Sequence, residues 1–229
     1  VRPFAVSPFF LWRIFALLKL IFTMVMLQKV LLSTAYFPPV HFFGAIAATD
    51  CVTIEKHETY SKQTYRNRCD IYTANGRLSL TIPVNKVHGN HTRIDEVHIS
   101  DQSNWRLNHW RAILAAYTNS PYFLYYGDKI KELLFNPEKN LFSFNNYLIT
   151  QLLQILRIDK ELHFTESFIR NPDEVVDLRN LISPKSDNNL FQFKSYYQTF
   201  GEKYGFLEGL SILDLLFNLG PESRAFLSA

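Results

Sequence analysis

An Asn-Gly pair between two alternating stretches constrains this chain more than any other feature. Residues 62–71 read Lys-Gln-Thr-Tyr-Arg-Asn-Arg-Cys-Asp-Ile, and Asn75-Gly76 leads into Leu78-Ser-Leu-Thr-Ile-Pro-Val84. Asn-Gly supplies the two positive-φ positions of a tight turn, and apolar residues alternate with polar ones on both sides of it. The pattern predicts a hairpin. In its first strand Asn67, Cys69 and Ile71 share one face, with Arg68 and Asp70 on the other. Lys62, Thr64 and Arg66 join that second face if the strand reaches back so far. Leu78, Leu80, Ile82 and Val84 form an apolar row on the returning strand. Lys62, Arg66 and Arg68 on a sheet face with a buried back make a platform suited to an anion, because a guanidinium fork matches phosphate or carboxylate.

The chain has 229 residues, 47% of them hydrophobic, enough for one sizeable core without a second domain. Twenty Phe and twelve Tyr make ring packing a large part of that core. The net charge of +3 is carried entirely by Arg2, Arg13 and Lys19, since residues 1–25 hold no acid; residues 26–229 are formally neutral. That neutrality argues against nucleic acid as a partner. Cys51 and Cys69 have neither C-x-x-C spacing nor the density of a disulfide framework, which fits a reduced, cytoplasmic protein.

Residues 8–27 are apolar and long enough to cross a bilayer. Each apolar residue there gains about 0.3–0.6 kcal/mol and each central Arg or Lys costs about 2.5–3.5 kcal/mol, so insertion is close to neutral. The expectation is that 1–25 is a hydrophobic leader outside the native fold, with Met26 as the start and 26–229 a single domain. Membrane association follows only if 8–27 is genuine.

Further along, 29–35 reads as an apolar strand ended by Pro38-Pro39, 42–49 as a helix and 51–55 as a second strand, which together suggest a parallel βαβ unit. The hairpin, a loop over 85–92 and a strand over 93–99 follow. Helices are predicted over a run from Ser103 to Pro121, with Leu107, Trp110, Leu114 and Tyr117 inward, and over 122–135, 142–156, 189–204 and 212–219. Residues 180–189 read as a loop. The fold class is mixed α/β or α+β: an N-terminal βαβ unit and a hairpin form a mixed sheet, and helices of the C-terminal half pack on it.

Other candidates are weighed by chemistry. Trp105 and His109, four apart, stack on one helical face, where a neutral imidazole could take a proton and the indole could carry a ring. Tyr36, Pro38, Pro39 and His41 follow the first strand, the end at which open α/β sheets place ligands. His41 reads as a loop histidine. His88 and His91 lack a third ligand nearby, so no metal is expected. Ser211 and Asp214 form a capping box, a structural role. There is no phosphate-binding G-x-x-x-x-G-K-[ST] loop, no G-x-G-x-x-G and no G-x-S-x-G elbow, which removes ATPase, dinucleotide-dependent dehydrogenase and α/β-hydrolase readings.

Several ordered blocks resemble the WbqC-like family: Leu32-Ser-Thr-Ala-Tyr-Phe-Pro-Pro39, the Lys62 to Cys69 run, the return to Val84, Ser103-Asn-Trp-Arg-Leu-Asn-His-Trp110, Ala116 to Phe123, and Leu210 to Pro221. Other members often carry Gln or His before Pro in the first block, where this chain has Ser33-Thr34. The resemblance implies a place in bacterial surface-polysaccharide (O-antigen-type) assembly, as an acyl or aminoacyl transferase acting on a nucleotide-linked amino sugar. Its implied partners are a nucleotide-sugar or activated acyl donor and other enzymes of the glycan pathway; no cofactor is implied. In that reading Lys62, Arg66 and Arg68 bind a diphosphate or activated carboxylate, Trp105 stacks a ring, His109 is general base and Tyr36 lines the pocket. The alternative is a noncatalytic nucleotide-sugar-binding or scaffolding protein of the same pathway.

Overall fold

A computed structural model describes residues 29–186 and 193–228. The apolar leader, the end of the expected 180–189 loop from 187 on, and residues 189–192 of the predicted 189–204 helix lie outside the described residues. No helix among the described residues is long and apolar enough to cross a membrane.

Strand β1 (Lys29–Ser33), helix α1 (Val40–Ala47) and strand β2 (Cys51–Glu55) form the expected unit, with the two strands parallel and Val30 opposite Val52 and Leu32 opposite Ile54. Two short strands from later in the chain complete the sheet, β7 (Leu162–Phe164) beside β2 and β8 (Val176–Asp177) beside β1. The order is β7-β2-β1-β8, all parallel. Val30, Leu31, Leu32, Val52 and Ile54 are at most 1% exposed, as continuous apolar runs in a parallel sheet require.

The hairpin pairs β3 (Arg68–Thr73) with β4 (Gly76–Thr81). It forms its own two-stranded sheet, because both flanks of the β1–β2 pair are already taken by β7 and β8. The turn differs from a primed Asn-Gly turn. Ala74-Asn75 occupy it and only Gly76, at φ 92°, is left-handed, the pattern in which a glycine closes a turn and carries the extra twist. Leu80 and Ile82 are buried, while Leu78, near the turn, is 40% exposed. Strand β5 (Val84–Asn85) pairs with β6 (His98–Ile99); the rest of the expected 93–99 strand is a 3-10 turn, with Ile94, Val97 and Ile99 inward all the same.

Helices α2 (Trp105–Tyr117), α3 (Phe123–Leu134) and α4 (Leu141–Ile155) follow, the last capped by Asn140, whose side chain accepts from the Ser143 amide at 2.9 Å. In α2 the inward stripe is Trp105, His109, Ile113, Ala116 and Tyr117, while Leu107 and Leu114 are 37% and 41% exposed. The expected Leu107–Leu114 stripe is therefore turned outward. Both stripes fit helical spacing, and the Trp105 and Tyr117 rings, packing against the hairpin and the C-terminal helices, decide between them. Residues 193–200 form no helix, and only α5 (Gly201–Tyr204) is helical there. Helices α6 (Ile212–Leu219) and α7 (Ser223–Leu227) pack against α1.

An irregular strap, Tyr36 to Val40, joins these parts. Ser211 Oγ donates to the Phe37 carbonyl at 2.8 Å, the Ile212 amide to Pro38 at 2.8 Å, and the Val40 amide to Leu210 at 3.0 Å. The Tyr36 amide reaches the Tyr65 carbonyl at 2.8 Å. Ser211 caps α6 as expected, accepting from the Leu213 amide, but Asp214 does not reach back to complete a capping box. Its carboxylate is fully buried and turns inward, accepting from the Tyr196 hydroxyl at 2.7 Å and the Gln198 amide at 2.9 Å. Burial pushes its pKa up to about 6, against those hydrogen bonds. The folded state therefore holds the Asp214 proton more tightly than the unfolded chain. The resulting stabilisation is full below about pH 4 and lost as pH rises through about 6. Asp214→Asn keeps the acceptor and cannot ionise. Its stability relative to the wild type is expected to improve by roughly 2–3 kcal/mol between pH 4 and 7, read from urea midpoints; parallel pH profiles would contradict the assignment.

Candidate functional site

Every strand of the parallel sheet ends on one side, and the segments that leave those ends wall a cleft of about 420 Å³. Open parallel sheets collect ligands at such a place, because loops there diverge from a rigid edge. Glu58 comes from the segment after β2, Phe168 and Arg170 from that after β7, and Asp177, Arg179 and Ser183 from β8 and beyond. Arg66 closes the cleft from the segment that leads into the hairpin.

Two guanidinium–carboxylate clusters shape the lining. Arg66 Nε donates to Glu58 Oε1 at 2.8 Å, with Nη2 against Oε2, and Nη2 also donates to Ser33 Oγ at 2.7 Å. Ser33 in turn donates to Glu58 Oε2 at 3.1 Å, which completes this triad. Arg66 and Glu58 are 7% and 5% exposed. In the second cluster Arg179 grips Asp177 through Nε at 2.9 Å and Nη2 at 2.7 Å, while Nη1 reaches Glu55 Oε2 at 3.3 Å. Burial works to raise the Asp177 carboxyl; the hydrogen bonds from Arg179 outweigh it and hold the group below its usual range. Glu55, fully buried, also accepts from Thr165 Oγ1 and from the His57 and Ile169 amides. Arg170 is exposed and forms no ion pair among the described residues. The cleft thus offers an exposed cation beside two locked ones, a lining whose charge is suited to an anion.

The three cations expected on one sheet face are divided. Strand β3 begins at Arg68, so residues 61–67 leave the pleat and their side chains no longer alternate. Arg66 turns into the core beside the cleft. Lys62 and Arg68 face the opposite side, where with Lys86 they line a second groove of about 420 Å³. Asn67 is the buried hydrogen-bonder expected of it, donating to the Ile82 carbonyl at 2.8 Å. Cys69 is 1% exposed and its pKa is well raised by burial first, then by Asp70, which makes it a poor nucleophile.

Tyr36, Trp105 and His109 do come together, inside the protein. Tyr36 Oη lies 2.9 Å from His109 Nδ1, and the Trp105 and His109 rings meet edge to face at 5.1 Å. Exposures are 0%, 3% and 6%, with Arg106 over the indole at 4.4 Å. Burial pushes the His109 pKa down to about 4, with a Thr81 backbone hydrogen bond opposing it, so the ring is neutral at pH 7. His41 lies in α1 and is buried rather than in a loop, because the helix starts directly after Pro39. His88 and His91 are exposed, and the described residues contain no group of three or more His, Cys, Asp or Glu placed to hold a metal.

Glu58, Arg170, Asp177 and Arg179 escape sequence reasoning. Their common signal is position after a strand, and a two-residue β8 is too short to show an alternating pattern. The Glu58–Arg66 pair gives a test. Glu58→Gln strands a buried guanidinium and is expected to cost about 3–5 kcal/mol in urea unfolding, whereas Glu58→Leu with Arg66→Met together cost less than either single change. Additive losses would show that the two side chains do not act as a pair.

Comparison with known proteins places these elements. The chain matches the WbqC-like protein family over residues 34–189, a span that takes in the strap, the hairpin, helices α2 to α4 and most of the cleft lining. It is 26% identical over 230 residues to an uncharacterized protein of Mycobacterium tuberculosis (strain ATCC 25618 / H37Rv), covering 88% of this chain and 98% of that relative. No solved structure matches it significantly. With more than half of its length in that match, the chain belongs to the WbqC-like protein family.

Proposed function

We propose that this protein transfers an acyl or aminoacyl group to a nucleotide-linked amino sugar in surface-polysaccharide assembly, with the carboxyl-end cleft as its binding site. The observation that carries the reading is the cleft itself. It lies beyond the strand ends and presents Arg170, without an ion pair among the described residues, beside the held guanidinium groups of Arg66 and Arg179. A phosphate or carboxylate gains two parallel hydrogen bonds from such a fork. In the transfer, the sugar nitrogen forms a bond to the acyl carbon, the bond from that carbon to the donor's leaving group breaks, and the amine proton passes to the leaving group or solvent. Tyr36 and His109 are positioning residues: Tyr36 holds the Tyr65 carbonyl through its amide, and the neutral imidazole fixes the Tyr36 hydroxyl. That role replaces the general base expected of His109, whose ring has too little exposure to meet a substrate amine.

A second reading, noncatalytic binding of a nucleotide-sugar, is favoured by one observation. Both carboxylates of the cleft, Glu58 and Asp177, are already held by arginines.

Thermal unfolding against nucleotide-sugars and activated acyl donors, with mass analysis of the sugar, separates the two. A ligand at a hundredfold excess over Kd is expected to raise the wild-type midpoint by roughly 5–10 °C. Arg170→Gln is expected to abolish the rise without lowering the unliganded midpoint. A mass gain of one acyl group supports transfer, and binding without it supports the noncatalytic reading. No midpoint change with any member of a saturating panel overturns both.

A further inference from the structure

The groove on the other side of the 58–68 segment is a site in its own right. Lys62, Arg68 and Lys86 line it, and no acid does. Lys62 and Lys86 form no ion pair among the described residues; Lys86 Nζ rests on the neutral Asn90 side chain at 3.1 Å. Arg68 has one carboxylate nearby, Asp70, with Nε 3.7 Å from Oδ1. That is beyond a hydrogen bond, and Arg68 Nε is buried without a hydrogen-bond partner. Asp70 is already committed to Ser79 Oγ at 2.5 Å and to Arg77 Nη1 at 3.3 Å. One carboxylate is thus shared between Arg68 and Arg77, and the positive charge of Arg68 is only partly offset.

The floor is rigid and apolar. Asn67 and Ile82 are joined twice, by the Ile82 amide to the Asn67 carbonyl at 2.8 Å and by the Asn67 side chain to the Ile82 carbonyl at 2.8 Å. Pro83 and Val84 continue that wall, and Tyr60 also lines the groove. On the rim, Gln63 is held at φ 58°, a left-handed conformation that a side-chain-bearing residue adopts only when its surroundings impose it. Backbone of this kind collects at ligand sites. Hydrogen bonds formed in advance leave little ordering to be done on binding.

We infer that this groove binds a phosphate-bearing ligand of at least two negative charges, its anionic end on Lys62, Arg68 and Lys86 and any apolar part on Pro83 and Val84. The site stands independently of the reading given to the cleft, since it shares no cation with it.

Inorganic pyrophosphate is the probe, titrated calorimetrically into the full chain at matched ionic strength, with amide chemical shifts recorded in parallel. The variants are Lys62→Gln with Lys86→Gln, both at solvent-reached positions, and Arg170→Gln in the cleft. Wild-type binding is expected, with shifts at Lys62, Gln63, Asn67, Arg68 and residues 81–86 that persist in Arg170→Gln, whereas shifts at Arg170, Asp177 and Arg179 report the separate cleft. The paired lysine variant should weaken binding about tenfold or more, and Arg170→Gln should leave it within about twofold. Three results overturn the site: no wild-type binding up to millimolar pyrophosphate, undiminished binding in the lysine variant, or an equal loss in Arg170→Gln. A failure of the nucleotide-sugar panel alone bears on the cleft and leaves these three results decisive for the groove.

Discussion

The strap from Tyr36 to Val40 is the constraint on which the remaining structure depends. Two consecutive prolines have no amide to give, so the strap cannot join the sheet as a strand, yet its carbonyls are buried and need donors. Ser211 Oγ and the Ile212 amide meet that need for Phe37 and Pro38, and the Tyr36 amide meets the Tyr65 carbonyl. Phe37, at φ 36°, is held in a strained left-handed conformation by the same contacts. One five-residue piece thereby fixes the parallel sheet, the approach to the hairpin and the start of α6 relative to one another. The Ser211 amide adds a bond to the Asp70 carbonyl at 2.8 Å, tying the hairpin to the same point.

Around this hub the charges are sorted by depth. Those nearest the sheet, Glu55, Glu58, Arg66 and Arg179, are paired and multiply hydrogen-bonded, because an isolated charge at such depth is far too costly. Those farther out, Lys62, Lys86 and Arg170, have no carboxylate partner among the described residues. The inner set fixes shape and the outer set offers charge to solvent. A buried neutral His109 and an un-ionised Tyr36, its pKa raised foremost by burial, extend the inner set without adding charge.

Much of this fold was legible because it is local. The βαβ opening, the hairpin and helices α3, α4 and α6 announce themselves through period, caps and turn residues. What was illegible depends on partners distant in sequence. The stripe of α2 has two helical solutions, and the rings it meets choose between them. Asp214 looks like half of a capping box because Ser211 precedes it by three; the side chains of Tyr196 and Gln198, which draw it inward, leave no such mark. Strands β7 and β8 are too short to alternate, so the cleft that they border was not visible either. Among the candidate site residues, the clustering of Tyr36, Trp105 and His109 followed from their blocks, but their depth did not. Likewise Arg66 parted from Lys62 and Arg68 because an irregular backbone, unlike a strand, sets no parity for its side chains.

The segment from Glu58 to Arg68 is a wall with a recess on either side, and its backbone is tied at both ends, by Ile94 to Glu58 and by Thr92 to Tyr60 on one flank and by Ile82 to Asn67 on the other. Eleven consecutive residues therefore border two recesses at once. A replacement that reshapes one recess shifts the backbone of the other, so the shapes of the two sides are coupled. Diversification within this scaffold is freer where the recesses are built from other parts of the chain, at Arg170 and Ser183 on one side and at Lys86 on the other.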